Sequence, residues 1–184
     1  MSNSSSGDNP NEVERDPQSE NLNALQAFET LGRFLDEDGW HPHRLDEKYI
    51  YGMVYSGKNG DIRCYAQIRA DLEQFVFYAI APVKANEEVR QDVAEFITRA
   101  NYGLRIGNLE MDYADGEVRY KSSLDFETQP LVPPFIRNAI YPAVQTMDHY
   151  LVGLMRVIFG GATPLEAIEE VEGRGSDNAS NHND

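Results

Sequence analysis

The sequence predicts an α+β sandwich, an antiparallel sheet with helices packed against it. Three observations point there. Segments rich in β-branched and aromatic residues come as neighbours joined by Asn-Gly or Asp-Gly turns. Apolar residues at three- and four-residue spacing mark helices between those groups. The resulting order is helix, three strands, helix, two strands, helix, which lacks the strand–helix alternation of a nucleotide-binding parallel sheet. With 184 residues, 41% of them apolar and 10% aromatic, the chain has material for one domain around one core.

In the first helix Leu22, Leu25, Phe28, Leu31 and Leu35 line a face that ends near Gly39. Asp36, Glu37 and Asp38 lie at the negative end of its macrodipole, so that end is expected to fray. Strands are expected over 47–56, 61–70 and 73–81, the first two joined by Gly57-Lys58-Asn59-Gly60, where Asn-Gly tolerates the positive φ of a tight turn. In the second strand Ile62, Cys64, Ala66 and Ile68 share one face. Arg63, Tyr65, Gln67 and Arg69 share the other, so one face is buried and one is wet. Pro82 is expected to stop the third strand.

Asn86 reads as the N-cap of a helix with Glu87 and Glu88 in its first turn and Val89, Val93, Phe96, Ile97 and Ala100 as its stripe, ending in a left-handed Gly103. A hairpin over 105–113 and 117–126 turns at Asp115-Gly116. Pro133 and Pro134 open the last helix, which runs through Ile136, Ile140, Val144, Met147, Leu151, Leu154 and Ile158 to Gly160-Gly161. Pro142 has no N–H for the Asn138 carbonyl, which predicts a kink or a regular helix starting only near Tyr141. Thr163-Pro164-Leu165 caps one last short turn.

Residues 1–18 and 173–184 are polar with little to bury, so they are expected as disordered tails around a domain at 19–172. The formal charge is −15, but five acids against Arg15 fall in residues 1–20 and six against Arg174 in residues 166–184, leaving roughly −6 on the body. Such a chain repels a polyanion, so direct nucleic-acid binding is not expected. No apolar run approaches the roughly 18–20 residues of a membrane span. The polar start of the chain, residues 1–10, has neither the basic nor the apolar region of an export signal, and the expected location is the cytoplasm. The single cysteine, Cys64, makes neither an internal disulfide nor a Cys-rich zinc site.

Chemistry-bearing residues are sparse. His41-Pro42-His43, followed by Asp46 and Glu47, is the best metal-like cluster, and a metal-dependent enzyme using His41 and His43 is one alternative function. Pro42 prevents a helix from aligning the two imidazoles, so the plainer reading is a linker. His149 follows Asp148, but adjacent helical residues point about 100° apart. Cys64 alternates with buried neighbours. Ser122-Ser123 lies mid-strand without a nucleophile elbow. Gly57-Lys58-Asn59-Gly60-Asp61 precedes a strand where a phosphate loop needs a helix, and Asp36-Glu37-Asp38-Gly39 fails the spacing of a calcium hand. No catalytic residue, metal ligand or cofactor is expected.

The last helix carries more apolar surface than one packing face uses. With Ile136 at zero and about 100° per residue, Ile140, Val144, Met147, Leu151, Leu154, Met155 and Ile158 fall in one arc of about 100°. Tyr141, Val152 and Phe159 form a second line, and Tyr150 and Val157 extend the first on its other side. Tyr141, Val152 and Phe159 are therefore expected in a homodimer or partner interface.

The segment Arg99-Ala100-Asn101-Tyr102-Gly103-Leu104-Arg105-Ile106-Gly107-Asn108-Leu109-Glu110, followed by a strand, a short Asp-Gly turn and a second strand through Asp125, resembles the YbjN-like family. The resemblance covers about residues 20–160, and Asn101 and Gly107 carry most of it, as residues that set backbone geometry. It implies the αβββαββα fold of type III secretion chaperones, dimers, and binding of extended segments of other proteins. The bacterial family is described as sensory transduction regulators and brings no catalytic residues. The expected function is a non-catalytic, protein-binding regulator or chaperone-like adaptor in signalling or stress regulation, with a protein partner that the sequence does not name. A further alternative is an acidic DNA mimic that occupies a nucleic-acid-binding protein, which requires acids clustered on the folded body.

Overall fold

The structure, a computed structural model, describes residues 21–45 and 49–173. Both expected tails fall almost wholly outside those residues, as do Asp46 and Glu47. Helix α1 spans Leu22–Glu37 and is capped by the Asn21 side chain, which accepts from the Ala24 N–H at 3.1 Å. It buries Ala24, Ala27, Phe28, Leu31, Phe34 and Leu35. Leu22, placed on the buried stripe by its spacing, is 70% exposed. Each three-residue step falls about 60° short of a full turn, so the run 22, 25, 28, 31 winds around the helix and puts Leu22 opposite Leu31. The acidic end is anchored: the Asp38 N–H donates to the Phe34 carbonyl, and Gly39 takes φ +79°.

The sheet has strands β1 (His43–Leu45), β2 (Ile50–Ser56), β3 (Asp61–Arg69), β4 (Gln74–Lys84), β5 (Asn108–Met111) and β6 (Glu117–Asp125). Their order is β1-β2-β3-β4-β6-β5, antiparallel throughout. The expected α+β architecture is present, with two departures in the strands. Residues 43–45, read as linker, form an edge strand paired Arg44 to Tyr51. Strand β4 runs through Pro82, which stands in a register shift between Ile80 and Lys84, where the missing N–H interrupts no regular ladder. At that bulge the carbonyl of Gly116, a residue at φ +75°, accepts from the Ala85 N–H at 2.9 Å.

A short 3-10 turn, Glu87–Val89, is capped by Asn86, and helix α2 follows over Arg90–Gly103. The helix ends at Gly103 as expected, but the left-handed residue is Gly107, four positions on. Helix α3, Pro133–Phe159, is continuous through Pro142, so its regular part does not wait for Tyr141. Helix α4, Pro164–Val171, is longer than the single turn expected and opens with a reciprocal Thr163–Glu166 capping box.

All four helices lie on one side. Helix α3 crosses β4 and β6, α1 packs on β3, α2 on β5, and α4 fits between α2 and α3. Phe75, Phe77, Tyr120, Ile140, Met147 and Leu151 are fully buried between them, each contributing about 1.5–3 kcal/mol by leaving water. Tyr150 and Val157 are buried because α2 and α4 cover their side of α3, with Phe96 edge-on to Tyr150 at 6.2 Å. Met155, assigned to the core stripe by its angle, is 41% exposed, since it sits at the arc's edge beyond the reach of the sheet.

Candidate functional site

Strand alternation and antiparallel register leave the second face of the sheet without a helix among the described residues. Pairing arranges that face in rows. Val54, Arg63, Ile80, Arg119 and Glu110 stand side by side across five strands. The next row is His43, Gly52, Tyr65, Tyr78, Lys121 and Asn108, and the one after is Leu45, Ile50, Gln67, Val76 and Ser123. Between them runs a groove of about 390 Å³, open to solvent, bounded by Leu45 and Ile50 at one end and by Arg63, Arg119 and Glu117 at the other. Val76 and Ile80 face the groove side yet are only 8% and 7% exposed, because longer neighbours in the rows lie over them.

The charges on this face are not equivalent. The Arg119 guanidinium lies over the Tyr78 ring, 4.4 Å from its centroid, while its Nε reaches Glu110 Oε1 at 2.6 Å. Lys121 Nζ holds the other Glu110 oxygen at 2.6 Å. Burial would push the Glu110 carboxyl up, but Lys121 and Arg119 together outweigh it and hold the group below the ordinary carboxylate range. Arg63 is exposed, and its side chain makes no hydrogen bond or ion pair among the described residues. Arg63, Arg119 and Lys121 stand on this face with Glu110, Glu117 and, two residues before Arg63 in β3, Asp61, so opposite charges balance there on a chain of formal charge −15. An arginine beside two tyrosines and a buried isoleucine suits a carboxylate attached to an apolar group.

One edge of the sheet is closed. Asn101, in the last turn of α2, accepts from the Leu109 N–H at 2.8 Å and donates to the Leu109 carbonyl at 2.9 Å, occupying the outward-pointing groups of that β5 residue. The Tyr120 hydroxyl donates to the Ile106 carbonyl, and Gly107 at φ +68° turns the chain between them. A Cβ at Gly107 would stand 2.6 Å from the Lys121 carbonyl. This is the geometry that the Asn101 and Gly107 pattern implies.

The other sequence candidates are scattered. His41 is exposed at φ +50°, and the His43 ring lies over Gly52, where a Cβ would meet its Nε2 at 2.6 Å. Among the described residues no three His, Cys, Asp or Glu side chains cluster as metal ligands. Asp148 turns away from His149 to the hairpin of β2 and β3, accepting from the Lys58 and Asn59 N–H groups at 3.1 and 2.8 Å. Gly57-Lys58-Asn59-Gly60 is thus a turn held by a helix carboxylate. Cys64 is 1% exposed, and burial pushes its thiol up to about 12, which keeps it protonated and inert. Ser122 is buried on the helix side and Ser123 exposed on the open face.

Asp38, which the sequence places at a fraying helix end and in a failed calcium motif, is a structural hub. Its carboxylate accepts from Tyr141 Oη at 2.7 Å, Trp40 Nε1 at 3.0 Å and Arg137 at 3.1 Å. The Tyr141 hydroxyl foremost, with Trp40 and Arg137, holds this carboxyl below its usual range against the opposing effect of burial. Of the expected interface residues, Tyr141 is thereby half-buried and tied to its own fold, whereas Val152 and Phe159 are 39% and 68% exposed. The groove itself was half visible beforehand. Arg63 and Tyr65 follow from alternation in β3, but Tyr78 joins them only through the pairing of β3 with β4 and Arg119 only through that of β4 with β6, and β4 is apolar on both faces.

No helix among the described residues is long and apolar enough to cross a membrane. No curated protein matches the sequence. A solved structure, "YbjN, a putative transcription regulator from E. coli", is 12% identical, with a TM-score of 0.49 over 73% of this chain and 89% of that one. The YbjN family model, described as "Putative bacterial sensory transduction regulator", matches residues 27–140, a shorter stretch than the 20–160 expected. The match runs from α1 across the whole sheet into α3 and takes in Asn101 and Gly107, so the chain belongs to the YbjN family.

Proposed function

We propose that the chain is a cytoplasmic, non-catalytic regulator that works by binding protein, with its binding domain at residues 19–172, and that it pairs with a second copy through α3. The observation that carries this reading is the line Val152, Met155 and Phe159, which stay 39%, 41% and 68% exposed on a helix whose opposite arc is fully packed. Their spacing of three and four residues stacks them within about 60° of one another, an apolar strip of the kind that marks interaction surfaces. Tyr141 continues the line with the exposed part of its ring. The strip lies beyond residues 27–140, so it is a feature of this chain's own sequence and is not transferred with the family match. The family description as a regulator agrees with a role in binding.

Light scattering at tens of micromolar tests the pairing. The wild-type chain is expected at twice its own mass, and Val152→Asp with Phe159→Asp at single mass with unchanged circular dichroism. A monomeric wild type, or a double variant that unfolds because the strip is core, refutes the pairing.

A further inference from the structure

We infer that the open face of the sheet is the partner-binding groove, and that it takes an extended segment of another protein carrying an acidic side chain next to bulky apolar ones. The inference rests on the protein-binding reading and names the chemistry of the partner. Arg63, Tyr65, Gln67, Tyr78, Ile80 and Arg119 are among the residues lining the groove, with Glu117 as the acid at one end. Charge complementarity selects the occupant. Arg119 is already committed to Glu110 and stacked on Tyr78, whereas Arg63 has no ion-pair partner among the described residues. Arg63 and Arg119 flank Ile80 in one row, so a carboxylate arriving over Ile80 meets Arg63 directly and the free N–H groups of Arg119 beside it. In the adjacent row Tyr65 and Tyr78 are paired across β3 and β4 and both line the groove, so the Tyr65 ring and the part of the Tyr78 ring that Arg119 leaves uncovered meet the neighbouring side chain.

Shape and edges favour an extended segment. The groove is open to solvent and crosses strands β3, β4 and β6, giving alternate side chains of a segment separate places to sit. Strand addition at β5 is blocked, because Asn101 already holds the Leu109 N–H and carbonyl, and the opposite edge, β1, has only three residues. The chain's overall −15 does not reach the Arg63 guanidinium, since charges beyond about 8 Å are largely screened at physiological salt.

The test is a selection of random decapeptides displayed on phage, run in parallel on the full chain and on Arg63→Glu. Arg63 is exposed, so the variant is expected to melt with the wild type. Bound sequences on the wild type are expected to be enriched in Asp or Glu beside Leu, Ile, Phe or Tyr. The best of them, made as a free peptide, is expected to bind Arg63→Glu at least about tenfold more weakly, the scale of one charge-assisted contact. Tyr78→Ala, read in the same way, separates a groove effect from a general charge effect. Enrichment without acids, affinity unchanged by both substitutions, or benzoate competing as well as the peptide refutes the groove assignment, the last because the site then serves small carboxylates. A wild type that enriches nothing refutes the protein-binding reading along with it, so the two failures are distinguishable.

Discussion

Asn101→Ala removes a side chain that stands in for a neighbouring strand. The wild-type amide makes two hydrogen bonds to Leu109, at 2.8 and 2.9 Å, and Leu109 is 3% exposed. Each bond contributes about 1 kcal/mol net, and each Leu109 group left without a partner away from water costs about 1–3 kcal/mol. Alanine is the better helix former by roughly 0.5 kcal/mol, which offsets a little of this. The expected loss is therefore about 2–4 kcal/mol, or roughly 5–15 °C in Tm for a domain of this size. Asn101→Asp keeps the acceptor for the Leu109 N–H and loses the donor, so it should fall between wild type and Asn101→Ala. Urea unfolding with an unchanged slope gives the free energies, and amide exchange at Leu109 reports the site itself. A loss below about 0.5 kcal/mol, or Leu109 exchange that stays as slow as in the wild type, refutes the strand-mimic role.

Asp148→Ala should destabilise the chain by about 1–2 kcal/mol through the two exposed turn amides it releases, and spectra of Lys58 and Asn59 should shift while His149→Ala leaves them in place. Gly116→Ala places a methyl group on the Ala85 backbone at a residue with φ +75°, so a loss above about 2 kcal/mol is expected by thermal melting. The Asp38 carboxyl is held below its unfolded value of 3.8, so its contribution is present above that pH and disappears as pH falls through the lower folded value. Urea midpoints measured from pH 6 downward should drop in the acid range more steeply for the wild type than for Asp38→Asn, and parallel curves count against the hub.

Much of the fold was legible because the signals are local. Asp115-Gly116 turns its hairpin with Gly116 at φ +75°, Asn86 caps its helix as read, and alternation in β3 separates a helix-facing side from an open one. Residues 57–60 also close a hairpin, but neither Asn59 nor Gly60 takes the positive φ expected of Asn-Gly, and the turn is held by the Asp148 carboxylate. What escaped depends on contacts between distant residues. Pro82 breaks a strand only where a ladder N–H is needed, and the bulge opposite Gly116 removes that need. Residues 43–45 have no strand signature of their own and become one by lying against β2. Asp38 and Asp148 looked like poor fragments of metal or catalytic motifs, because their partners Tyr141 and Asn59 are about a hundred residues away in the chain. The groove shares this origin: its two arginines come from β3 and β6, which are separated in the sheet by β4.

The most direct test maps where a segment lands. Backbone amide shifts of the labelled chain, titrated with the best acidic peptide from the selection, should move together at Arg63, Tyr65, Gln67, Tyr78 and Arg119 and leave Val152 and Phe159 unchanged. Shifts confined to α3, with the sheet amides still, would contradict the assignment of the open face as the site where this regulator meets its partner.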